Sequence, residues 1–391
     1  MKEQLPVDLV RNIMSEFAEQ TGLSPVRSRP QRYLWTDAFA VCNFLELYRQ
    51  TGDASFKALA LALVDQVHET LGRYRPDDSR SGWLSGMEED EGKLHPTAGG
   101  LRIGKKMNER GPNDPLDEEL EWERDGQYYH YLTKWMHALH CVATVTSDIR
   151  YQQWARELAK QVHAGFIFTS PFDGRRYLHW KMSVDLSRPL VPSMGQHDPL
   201  EGFITYSHLQ SYNISAEPQQ LTALDLSTEI KELADICRDR NWTTEDPLGL
   251  GGLLCNALQL AQLMITARSG PDKLLLAMLD YSLLGLASCL NNLLLPARYR
   301  LAFREFGLSI GLHAVKRMQR LIEKDHEAFQ DREALYARIE KLLVFEAVGI
   351  QIEQFWLEAA NRAVDSWQEH GAINMVMQAT SLAPDGFLQT L

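Results

Sequence analysis

The sequence predicts an all-α chain: an (α/α)6 toroid of about twelve helices in antiparallel hairpins, with long rim loops and one short β-hairpin. Three observations lead there. Apolar residues recur at helical spacing along most of the chain. The periodic stretches come in pairs joined by very short turns. Four helices open on an acid followed by small or apolar residues, in TDAFA, RDGQY, HDPLEG and EDPLGLGG. The expected organisation is a single domain, residues 1–391, with rim insertions at about 72–124 and 166–197.

The first helix follows from Leu9, Ile13, Met14 and Phe17, and Gly22 with the Pro/Arg-rich stretch after it ends that helix. Thr36 or Asp37 then caps a helix that runs to Gly52. Asp53 opens its partner, with Phe56, Leu59, Leu63, Val67 and Leu71 on one face. Residues 72–124 lack periodicity, yet Trp83, Leu84, Leu101 and Ile103 predict a loop that packs on the body. A helix from Gly126 to Val145 pairs with one from Asp148, whose Trp154, Leu158, Val162 and Phe166 face inward. Within the next irregular stretch, RRYLHWKMSVDL alternates as a strand or short hairpin does. Helices at Asp198–Tyr212 and Leu221–Arg240 form a further pair. Those from Asp246, Pro271, Tyr299, Asp331 and Val344 follow, and a frayed or short helix ends the chain. GLGGLLCNALQLAQLM and AVGIQIEQFWLEAANRAV are apolar enough for the inner ring, which is covered all round.

Composition narrows the class. Hydrophobic residues make up 45% and charged residues 24%, with a formal net charge of −12 and no dense Lys/Arg cluster, which disfavours nucleic-acid partners. The most apolar run, Lys273 to Pro296, is interrupted by Asp280, Ser288 and Asn291–Asn292, so a core helix is expected and no membrane span. The early acids and missing apolar leader segment argue against a signal peptide. Five cysteines without a CxxC suit a reducing compartment, and a cytoplasmic location is expected. Neither HExxH nor another tight ligand spacing occurs, so neither a metal ion nor a cofactor is expected. The oligomeric state is open.

If the inner helices run parallel, their starts share one rim. Asp37, Asp125, Asp198 and Asp246 then face a funnel beside Trp35, Trp122, Tyr128, Trp180 and His197. Asp before a helix is also the commonest N-cap, and capping alone accounts for any one of these acids. Glu123 and Asp125 flank Arg124 beside Trp122. An acid against an indole has its pKa raised while a second, polar-seated acid stays ionised, the split that acid/base work on a glycosidic bond requires. Tyr128, Tyr131 and Trp135 form one helical stripe, suited to core packing or to stacking on a sugar. His197, Asp198 and Glu201 open a later helix, where they serve as a cap or as a His–carboxylate pair.

The helical hairpins, the WTDAF and WERDGQYYHYLTKW openings and the aromatic–acid rim resemble the six-hairpin glycosidase superfamily of (α/α)6 toroids. That resemblance implies a small carbohydrate substrate at the funnel. The expected activity is glycoside hydrolysis of a small oligosaccharide. Asp125 or Glu123 would be the acid, and Asp198 or Asp37 the partner that activates water. Trp35, Trp122, Tyr128, Tyr131 and Trp180 would line sugar subsites, with Gln127, His130, Lys134, Arg102, His197 and Glu201 binding hydroxyls or a carboxylate. The alternatives are a sugar epimerase or isomerase using His197 and His130, and a non-catalytic interaction protein with a vestigial funnel.

Overall fold

The computed structural model describes residues 4–212, 224–268, 270–290 and 294–389, and the side chains from residue 7 onward within these ranges. The expected start of a helix at Leu221 and the Asn291–Asn292 interruption lie outside the described residues. Helices dominate, and the only strands among the described residues form two two-stranded ladders. The fold class is the one the sequence predicts, all-α and built of antiparallel helical hairpins. Helix α1 (Gln4–Gln20) opens the chain, with Ile13, Met14 and Phe17 buried. By its contacts the chain divides into two compact units, residues 18–238 and residues 1–17 with 239–391.

In the unit of residues 18–238, helix α2 (Leu34–Thr51) turns directly into α3 (Ala54–Leu71). Gly52 makes the turn with φ +71°, its N–H bonding to the Tyr48 carbonyl, and the Asp53 carboxylate caps α3 through the N–H of Ser55. Helices α6 (Tyr129–Thr146) and α7 (Ile149–Phe166) repeat the arrangement, with Ser147 in the left-handed region and Asp148 capping through Arg150. Helix α2 packs on α3 and on α6, and α6 packs on α8 (Asp198–Ser211). A helix at Ser227–Ile236 lies against α8.

Residues 72–124 pack on this body, as Trp83, Leu84, Leu101 and Ile103 predict, for all four are buried. Two short helices, α4 (Glu89–Leu94) and α5 (Glu118–Glu121), interrupt the loop. Backbone bonds tie it down: Arg102 N–H to Leu71, Ile103 N–H to Gly126, and Leu34 N–H to the Ile103 carbonyl. The strand expectation in RRYLHWKMSVDL is met in two pieces. Strand β1 (Gln127–Tyr128) pairs with β4 (Lys181–Met182), and β2 (Ile167–Thr169) pairs with β3 (Arg176–Leu178). The first ladder crosses at Gly126, where φ is +151° and an added Cβ would stand 2.8 Å from the Met182 carbonyl.

The other unit is centred on the pair Pro247–Ala267 and Ala302–Lys324. A Cβ on Gly251 would meet the Gly307 carbonyl oxygen at 1.9 Å, and one on Gly311 would meet the Gly251 Cα at 2.6 Å, so the two backbones touch. Pro247–Ala267 has the length and apolarity of a membrane span, and 72% of its most apolar stretch is buried, as in a core helix. Of the two forms expected for the tail, a frayed or a short helix, the structure has short helices, Gly371–Leu382 and Asp385–Leu388, held by buried Met375, Val376, Met377 and Leu388.

Candidate functional site

The four acid-led openings do not share one local role. Asp246 is an N-cap, accepting from the N–H of Gly249 at 2.9 Å. Asp37 lies inside the first turn of α2, because that helix starts at Leu34. Its carboxylate reaches back to the Tyr33 N–H at 2.9 Å and stands 3.5 Å from Arg32. Burial pushes its pKa up to about 6, against the pull of Arg32 and the Tyr33 N–H. Asp198 is the first residue of α8, with His197, half-buried, at the cap position.

Asp125, expected together with Glu123 as a candidate for the acid, is fully buried. It accepts from Arg102 Nη1 at 2.5 Å and from the N–H groups of Gly104 at 3.0 Å, Gly126 at 3.1 Å and Lys105 at 3.4 Å. Arg102 also donates to the carbonyls of Arg73 and Thr70. This buried ion pair pins residues 102–105 to the start of α6. Gln127 acts in the same way. Its amide accepts from Leu101 N–H and donates to the carbonyls of Gly99 and Val184. Buried and hydrogen-bonded within the protein, Asp125, Arg102 and Gln127 tie residues 99–105 to the start of α6. Trp35 is likewise core, packed on Phe39 and Tyr131.

The starts of α2, α6 and α8 nevertheless adjoin, and aromatic rings connect them. Trp122 packs on Trp180 with centroids 5.2 Å apart, Trp180 on Tyr128 at 4.9 Å, and Tyr128 on Tyr131 at 5.0 Å. Tyr131 shares a hydroxyl–hydroxyl bond of 2.7 Å with Tyr33, a residue the sequence reading missed because it precedes the helix. Trp122 is 56% exposed, so one end of the strip is open. It borders a hollow of about 210 Å³ lined by Leu116, Glu118, Glu121, Trp122, Trp180, Val191 and Ser193. Beneath it Lys181, fully buried, pairs with Glu121 at 2.8 Å and donates to the Glu121 and Arg124 carbonyls. Glu123 is exposed, and its charge acts on Tyr33, Tyr128 and Lys105.

At the other end His130 stacks on Tyr128, and its Nδ1 stands 3.8 Å from Asp198 Oδ1. The His130 side chain is 33% exposed, while Asp198 behind it is buried and its Oδ2 has no hydrogen-bond partner among the described residues. One turn along α8, Glu201 takes a hydrogen bond from Thr133 and pairs with Lys134 Nζ at 2.9 Å. The two carboxyls titrate in opposite directions. Burial, with the Glu201 charge adding to it, pushes Asp198 up to about 8. Burial would raise Glu201 too, but Lys134, Thr133 and His130 together hold it below the ordinary value. Burial pushes His130 down to about 4, with Glu201 opposing and Lys134 assisting. These shifts favour a protonated Asp198, a neutral His130 and an ionised Glu201 at neutral pH.

One further grouping went unforeseen. His137 does not approach His130; it meets Cys141 on its own helix and Cys42 on α2, with all three side chains buried. The i, i+4 spacing of His137 and Cys141 was visible in the sequence, but the partner from α2 was not.

No family model and no curated protein matches the chain. Among solved structures it is similar to the GH76A alpha-1,6-mannanase from Salegentibacter sp. HEL1_6, at 14% identity over 96% of this chain and 99% of that one, with a TM-score of 0.48. It is also similar to a sugar epimerase from a ruminal bacterium, at 10% identity over 79% of this chain and 75% of that one, with a TM-score of 0.42.

Proposed function

We propose that this chain is a carbohydrate-active enzyme that works by proton transfer through His130, which takes a proton and returns it from the imidazolium, beside a protonated Asp198. The 3.8 Å approach of Asp198 to His130, at the inner end of an aromatic strip, carries this reading. Aromatic faces offer flat apolar area at low conformational cost, which suits the C–H face of a sugar ring. His130 is the accessible acid–base group. A neutral imidazole can take a proton from carbon next to a sugar carbonyl, and the ionised Glu201 close by favours the imidazolium that results. Asp198 and Glu201 lie on one face of one helix, behind His130 and Thr133, so they do not flank a glycosidic bond as a hydrolytic pair does. The observations thus favour a sugar epimerase or isomerase.

Glycoside hydrolysis is the second reading, favoured by the raised Asp198 pKa together with the exposed carboxylate of Glu123 beside the strip. The experiment is a panel of free sugars and small oligosaccharides in deuterium oxide. Deuterium in an interconverted sugar supports the first reading; new reducing ends without deuterium support the second. His130→Gln and Asp198→Asn variants that keep full activity would overturn both. A cytoplasmic setting is part of the proposal, tested by fractionating cells that produce the chain.

A further inference from the structure

Below the turn of α6 that carries Lys134, the helix holds a second cluster that proton transfer leaves unused. Cys42 on α2 and His137 and Cys141 on α6 are all buried, and their ligand atoms lie within 4.8 Å of one another. His137 Nε2 is 3.6 Å from Cys141 Sγ. Ligand atoms around a tetrahedral zinc, at bond lengths of about 2.0–2.3 Å, stand on the order of 3.5 Å apart. One edge of such a polyhedron is therefore already in place, and the others need sub-ångström to ångström adjustments of side chains. The cluster is not an accident of a single helix face, since Cys42 arrives from the neighbouring helix.

We propose that Cys42, His137 and Cys141 bind one zinc ion that staples α2 to α6. The donor set is soft, two sulfurs and an imidazole nitrogen, which selects thiophilic cations over magnesium or calcium. Charge decides among thiophilic ions. Two thiolates and a neutral imidazole cancel a divalent charge, whereas a cuprous ion would leave a net negative site in buried surroundings. On binding, the two thiols release their protons to solvent and a water takes the fourth position. Lys134 lies one turn before His137 on α6, so the ion would fix the helix pair a turn away from the Glu201–Lys134 contact.

The test uses the full chain, reduced and stripped of metal with a chelator. Cobalt(II) is the probe, read by thiolate-to-cobalt charge-transfer absorption and by intense tetrahedral ligand-field bands. One equivalent is expected to bind and to be displaced by one equivalent of zinc. Cys42→Ser and Cys141→Ser should each weaken binding at least tenfold, while Cys255→Ser, in the other unit, should leave it unchanged. Absence of the bands in wild-type chain overturns the proposal, and this reading stands even if the serine variants fail to fold. So does a Cys42–Cys141 disulfide in freshly purified protein, cobalt binding that survives both serine changes, or tight cuprous binding with none of zinc.

Discussion

Lys134 Nζ lies 2.9 Å from Glu201 Oε1, and each side chain is more than four-fifths buried. The contact joins α6 to α8 at the level of His130, so it sets both the packing of the two helices and the charge that His130 meets. Removing one partner strands the other as a buried charge. Lys134→Met should lower stability by about 3 kcal/mol in urea denaturation. Adding Glu201→Gln should recover part of that loss, a non-additivity that a double-mutant cycle would measure.

The pH dependence of stability should carry the signature of Asp198. Its folded pKa is raised to about 8, whereas an unfolded aspartate titrates at about 4. Between those values the folded chain holds a proton that the unfolded chain has released. This contribution is therefore complete near pH 4 and is lost as pH rises toward 8. Glu201, lowered in the fold, acts the other way: its contribution is present above its unfolded pKa and is lost in acid. Asp198→Asn should remove the downward slope on the neutral-to-alkaline side, as followed by thermal unfolding across pH. Turnover that draws on the protonated Asp198 should fall roughly tenfold per pH unit once Asp198 ionises.

Asp125→Asn separates an anchor from a catalyst. The change weakens the bond to the buried Arg102 and should cost about 3 kcal/mol of stability. Limited proteolysis should then cut within residues 99–107, the segment that Asp125 holds. Loss of activity with unchanged stability and protease resistance would return Asp125 to a chemical role.

Trp122→Ala tests the open end of the aromatic strip. The indole is more than half exposed, so stability should change by less than about 0.5 kcal/mol. The KM for the substrate should rise about tenfold, in line with the loss of one stacking surface.

Local features were the ones legible in the sequence. Helix periodicity, the glycine turn at Gly52 and the aspartate caps at Asp53 and Asp148 all depend on near neighbours, and local spacing reveals local structure. The meeting of the α2, α6 and α8 starts was also legible, because acids and aromatics mark those openings. The role of each acid was not. Asp125 and Asp198 look alike in sequence, and what separates them is their non-local surroundings: Arg102 and the N–H groups of Gly104 and Lys105 for the first, an oxygen without a described partner behind His130 for the second. Tyr33 and Cys42 escaped notice for the same reason, since their partners Tyr131 and Cys141 lie about a hundred positions away.

The glycine crossing in the unit of residues 1–17 and 239–391 has a mechanical result. Between Pro247–Ala267 and Ala302–Lys324, main chain rests on main chain at Gly251 and Gly311, and the Leu248 side chain closes the space beside Gly307. Such a joint cannot slide by trading one rotamer for another. A larger residue at Gly251 or Gly311 would therefore have to push the two helices apart.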